Sequence, residues 1–126
     1  MTIEERNQRG SELLDKMLGP DQAKDIRQAW KEIAPDFEQY VVEFVAGEIW
    51  CRPKLDLRTK SLATISALAA LGRTLALKLN IRFALHNGVT REDIVETLLQ
   101  IAPYAGFPAT WEGLAMAHEV FQEEPA

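Results

Sequence analysis

Apolar side chains recur along almost the whole chain at the three- and four-residue spacing of a helix face. Ile3 to Leu18 sets Leu13, Leu14, Met17 and Leu18 among charges and stops at Gly19-Pro20. Asp21 to Ile33 is a second helical segment, with Asp21 as its N-cap and Pro35 ending it. Asp36 to Ala46 repeats the spacing through Phe37, Tyr40, Val41, Phe44 and Val45, one stripe of a 3.6-residue period. Gly47 is expected to close this helix as a C-terminal glycine, and a loop is expected from Glu48 to about Asp56.

Leu57 to Leu71 is the most apolar segment and is expected to be buried on several sides. Leu75 to Asn87 follows and ends at Gly88. Thr90 with Asp93 forms a capping box, with aspartate in place of the usual glutamate or glutamine, and opens a helix through Leu98, Leu99 and Ile101. Pro103 is expected to kink its end before Gly106 breaks it, and Pro108 suits the first turn of a last helix ending near Phe121. With no Gly/Ser linker, repeat or low-complexity tract, the pattern predicts an all-α fold. It is read as a single-domain helical bundle of about six to seven helices covering residues 1–126. Small residues at Ala63, Ala67, Ala69, Ala70, Ala76 and Ala84 are expected to let helices approach closely, and the surplus of apolar surface points weakly to self-association.

Composition narrows the function classes. The length of 126 residues fits one domain, and 47% hydrophobic residues can build a core. A net charge of −5 argues against a nucleic-acid partner, which needs a basic face. The longest nearly uncharged stretch, Ser61 to Gly72, is too short to cross a bilayer, and the polar start from Met1 to Arg6 does not read as a signal peptide. No membrane partner and a cytoplasmic location are therefore expected. Cys51 is the only cysteine, which rules out an intrachain disulfide and makes it a spectator thiol.

Candidate chemistry is sparse. His86 lies near the end of its helix, sharing a face with Arg82 above Leu79, where a cation is favourable in its own right. A structural and a catalytic role are both open for it. His118 sits among charges near the chain end and reads as a surface residue. Neither histidine stands at metal-ligand spacing, so no metal site is predicted. Glu48, Trp50 and Arg52 admit two readings: a proton-handling acid, an apolar wall and an anion clamp, or a helix end with a tucked indole and two solvated charges. Arg58, Arg73 and Arg82 add cations, and Arg73, Asn80, Ala84 and Asn87 fall on one stripe that either meets water or lines a cavity.

The run Gly47-Glu48-Ile49-Trp50-x-Arg52-Pro53-x-Leu55 with Thr59-Lys60-Ser61-Leu62 resembles the carboxymuconolactone decarboxylase family, in its single-domain type. So do Asn87-Gly88-Val89-x-Arg91-Glu92-x-Ile94-x-Glu96-x-Leu98-Leu99-Gln100 and Tyr104-x-Gly106-x-Pro108-Ala109. The peroxidases of the wider superfamily use a Cys-x-x-Cys pair and a histidine. Those positions fall here on Arg73, Ala76 and Asn80, so peroxidase chemistry is not expected.

The resemblance implies an all-helical subunit assembled as a homo-oligomer, a ring-like hexamer. It also implies loss of CO2 from γ-carboxymuconolactone, giving the enol-lactone of 3-oxoadipate without any cofactor. Glu48 and His86 are the catalytic candidates, with Trp50, Arg52, Arg58, Arg73, Asn80, Arg82 and Tyr104 expected around a small acidic lactone. Asn80 departs from the family, whose members commonly carry histidine there. An amide donates hydrogen bonds but delivers no proton. His86 does not simply replace that histidine, because six residues turn a helical side chain by about 240°.

Overall fold

Among the residues that the computed structural model describes, Met1–Glu123, seven α-helices and one π-helical stretch follow one another with no strand between them. The expected all-α class is therefore observed. The chain forms two compact units, Met1–Leu55 and the part from Asp56 onward.

The first unit holds α1 (Ile3–Leu18), α2 (Pro20–Ile33), α3 (Pro35–Tyr40) and the π-helical segment Val41–Trp50. Thr2 and Glu5 close a capping box at the start of α1, each side chain taking the other's backbone N–H. Gly19, at φ 86°, ends α1 and lets Pro20 start α2 directly. The core of this unit is small: Leu14, Met17, Leu18, Ala23, Val42 and Ala46. It also encloses a charge. Glu38 is 5% exposed and accepts from Arg27 Nε at 2.8 Å, while Arg27 Nη1 reaches Ser11 Oγ, joining α1, α2 and α3.

Gly47 does not end its helix. The helix continues through Glu48, Ile49 and Trp50 and stops at Cys51, so the expected loop begins three residues late. The reason is packing. Gly47 lacks the positive φ of a C-terminal glycine; a Cβ placed on it would overlap the carbonyl oxygen of Arg6 in α1. Gly10 of α1 answers in kind, since its Cβ would overlap the Val42 carbonyl. The two helices thus cross backbone against backbone at a pair of glycines.

The second unit packs α4 (Leu57–Leu71), α5 (Thr74–His86), α6 (Arg91–Ala105) and α7 (Phe107–Glu123) around Ile65, Leu77, Ile81, Ile94, Leu98 and Val120. Gly113 of α7 lies against Leu98 and Ala69. The Thr90–Asp93 capping box forms as predicted. Pro103 lies inside α6, which runs on to Ala105. Burial of α4 is one-sided rather than general: Ser61, Ile65 and Ala69 are buried, whereas Ala63, Ala67 and Ala70 face solvent. Of the six alanines expected at helix contacts, only Ala69 and Ala84 are buried.

Candidate active site

Glu48, Trp50 and Arg52 lie at the end of the π-helical segment of the first unit. Glu48 and Trp50 are half-buried and Arg52 is exposed. The Glu48 carboxylate forms an ion pair with Arg6 of α1, Nε to Oε2 at 3.4 Å, a partner that sequence reading missed. Two more bonds tie α1 to this segment: Asn7 Nδ2 donates to Glu43 Oε2 at 3.4 Å, and Arg9 Nη2 to the Cys51 carbonyl at 3.2 Å. The only cue in the sequence was the glycine pair, Gly10 and Gly47, each set in a helical stretch.

The remaining candidates belong to the second unit. Arg58 Nη2 meets Asp93 Oδ2 at 2.9 Å, and the same oxygen takes the Thr90 N–H. The two side chains border an open concavity of about 280 Å³ that also includes Leu62, Ser66, Glu96 and Gln100. One guanidinium faces two carboxylates there, and it is already paired. That balance does not favour an anionic ligand.

Arg82 is likewise engaged, with both oxygens of Glu123. His86 places Nδ1 3.0 Å from the Arg82 carbonyl. A carbonyl only accepts, so Nδ1 donates in this contact, and Nε2 is the ring nitrogen left for another partner. Asn80 turns its amide back onto its own helix, donating to the Ala76 carbonyl at 2.9 Å. Arg73 precedes α5 and His86 ends it, which sets them about 20 Å apart along the axis, too far to share one small carboxylate. The predicted stripe on α5 is therefore neither a wet face nor a cavity wall throughout. Arg73 is exposed, Ala84 is buried, and Asn87 donates to Ser61 Oγ of α4.

Tyr104 is 84% exposed at the end of α6, and the sequence reading passed over two neighbours in the chain, Phe107 and Trp111, exposed by 77% and 74%. Their four-residue spacing puts both on one face of α7. No group of three or more His, Cys, Asp or Glu side chains among the described residues is arranged to hold a metal ion. No helix among them is long and apolar enough to cross a membrane.

Comparison with known proteins places these features in context. Residues 35–119 match the model of the carboxymuconolactone decarboxylase family. A 4-carboxymuconolactone decarboxylase of Acinetobacter baylyi is 36% identical over 98% of this chain and 92% of its own length. An uncharacterized protein of the nqo9–nqo10 intergenic region of Paracoccus denitrificans is 32% identical over 79% of this chain and 75% of its own. A nitrosuccinic acid decarboxylase of Metarhizium robertsii is 31% identical over 68% of this chain and 60% of its own.

Proposed function

Because this chain belongs to the carboxymuconolactone decarboxylase family, we propose that it is a carboxy-lyase converting γ-carboxymuconolactone to 3-oxoadipate enol-lactone in the catabolism of aromatic compounds. The observation that carries this reading is the 36% identity to a 4-carboxymuconolactone decarboxylase along 98% of the chain. The family match from 35 to 119 spans the junction at Leu55, which supports treating the two units as one functional domain.

The chemistry needs no cofactor, because the substrate carries its own electron acceptor. The carbon–carboxylate bond breaks, CO2 leaves, and the electron pair passes through the ring double bond onto the oxygen of the lactone carbonyl. A proton then returns to the ring carbon beside that carbonyl. The protein has to hold the two carboxylates, favour the enolate oxygen and supply the proton. Arg52 suits the first task, since a guanidinium binds carboxylate as a fork and this one is exposed at the end of its segment. Trp50 supplies an apolar wall. Arg58, Arg73, Arg82, Asn80 and Tyr104 are further candidates for substrate contacts; Arg58 and Arg82 would first have to leave Asp93 and Glu123, Asn80 would have to leave the Ala76 carbonyl, and Arg73 and His86 of one subunit would not serve the same carboxylate.

Glu48 is the first candidate for handling the proton and His86 the second. Glu48→Gln is expected to lower kcat by roughly a hundredfold or more, with His86→Gln the smaller loss. The reverse order assigns the proton to His86. In the cell we place the protein in the cytoplasm as a homo-oligomer, a hexamer.

A second reading has a specific observation behind it. Asn80 in place of histidine removes a proton carrier, and a relative 31% identical is a decarboxylase of nitrosuccinic acid. This favours a different small carboxylated substrate, or binding of an acidic metabolite without turnover. Incubation with freshly prepared γ-carboxymuconolactone, following CO2 and enol-lactone, separates the readings. Turnover supports the first; folded protein without turnover rejects it and makes nitro-activated dicarboxylates the next substrates to try.

A further inference from the structure

The glycine crossing of α1 and the π-helical segment has a chemical neighbour. Arg6 lends its carbonyl to the contact that excludes a Cβ at Gly47, and its side chain meets Glu48, the next residue along. Arg6 Nε is closed off from solvent and makes no hydrogen bond, while its ion-pair partner Oε2 stands 3.4 Å away. A buried donor in that state is costly unless it closes on an acceptor. Only that nitrogen is enclosed: the two side chains as wholes are 38% and 28% exposed, so the ion pair itself contributes little to stability. A planar guanidinium is nevertheless well suited to fixing the direction of a carboxylate. Asn7 and Arg9 brace the same segment at Glu43 and Cys51, so one face of α1 acts as a splint along it. All of α1 lies outside the 35–119 span of the family match.

We propose that Arg6 is a positioning residue for Glu48: from α1 it sets the orientation of the carboxylate that exchanges a proton with the substrate. The proposal rests on the reading of Glu48 as the proton-handling group. Arg6 itself touches no reacting atom.

The test measures kcat and KM with γ-carboxymuconolactone for Arg6→Ala, Arg6→Met, Arg6→Lys, Asn7→Ala, Glu48→Gln and the double variant Arg6→Ala/Glu48→Gln, each checked for fold by circular dichroism. Arg6→Met keeps the apolar stem and guards against a variant that merely fails to fold. Misplacing the carboxylate is expected to lower kcat roughly ten- to a hundredfold with little change in KM. Arg6→Lys should recover part of the loss. Arg6→Ala should add nothing once Glu48 is glutamine, and Asn7→Ala should stay within about twofold of the parent.

An Arg6→Met protein as fast as the parent, beside a slow Glu48→Gln, overturns the proposal and leaves the role of Glu48 standing. An unimpaired Glu48→Gln removes Glu48 from the reaction and the proposal with it, leaving His86 as the proton carrier. A fall in Asn7→Ala equal to that of Arg6→Ala shows general loosening of α1 and also overturns it. Absence of turnover in the unchanged protein rejects the decarboxylase reading itself, and this proposal along with it.

Discussion

Arg82 grips both carboxylate oxygens of Glu123, Nε to Oε2 at 3.0 Å and Nη2 to Oε1 at 3.1 Å, and Lys78 approaches the same group at 3.3 Å. The carboxylate belongs to α7 and both cations come from α5, so the pair ties the two helices together. Arg91 also reaches α7, donating to the Phe121 carbonyl at 3.1 Å.

Acid should therefore loosen the second unit at identifiable groups. For Glu123 burial is the largest single influence and opposes the charge. The hydrogen bonds and charges of Arg82 and Lys78 together outweigh it, so the carboxyl lies below its ordinary 4.5. Asp93, held first by the Thr90 backbone N–H and then by Arg58, lies below 3.8. Asp56, held by the hydroxyl and then the backbone N–H of Thr59, does too. Lowered folded values mean that the stabilisation is complete above the ordinary values and disappears as pH falls through the folded ones. Melting temperature should hold from neutral pH to about 5 and drop below about 4. Glu123→Gln should cost at most ~1 kcal/mol at neutral pH, because the pair is partly exposed, and should flatten the acid limb. An unchanged acid limb would remove Glu123 from this account.

Gly47→Ala reports the helix crossing. Helix propensity alone would make the change favourable by about 1 kcal/mol. The overlap with the Arg6 carbonyl reverses the sign, and a loss of about 3 kcal/mol is expected in denaturant melts. A stabilised Gly47→Ala would contradict the close approach.

Among the described residues, buried Glu38 forms its ion pair with Arg27. Arg27→Ala leaves that charge enclosed without compensation and should destabilise by about 3 kcal/mol. The double change Arg27→Met with Glu38→Leu should restore most of the loss. Chemical denaturation of the three proteins measures both, and a double variant as weak as the single one would point to lost packing instead.

Tyr104, Phe107 and Trp111 leave three large aromatic rings largely exposed, and Phe107 and Trp111 share one face of α7. If the proposed oligomer covers them, Trp111→Glu should shift the mass measured by light scattering toward smaller species, with helicity retained. An unaltered mass would exclude this face from the contact.

Legibility in the sequence followed the range of the interactions. The bounds of α1 and α4 could be read to the residue, because Thr2, Gly19, Asp56 and Gly72 act on their own neighbours. The Thr90 capping box was readable for the same reason. Gly47 misled because its partner, Gly10, lies far off in the chain and no local pattern distinguishes a cap from a close approach. The ion-pair partners of Glu48, Arg58 and Arg82 were equally hidden. Arg6, Asp93 and Glu123 are 35 or more residues away, and one charge on a polar helix face looks like any other.

The π-helical form of Val41–Trp50 also fixes what lengths this chain tolerates. Glu43 and Glu48 are five residues apart and both meet α1, through Asn7 and Arg6. In an α-helix five residues would turn one acid about 140° from the other, whereas in a π-helix they share a face. Loss of one residue at Phe44 or Val45 would let the segment relax to an α-helix with the acids four apart and still aligned. A residue gained there would have no such outlet and would swing Glu48 off Arg6. The spacing between these two acids is thus a measuring rule, one that forgives shortening and punishes growth.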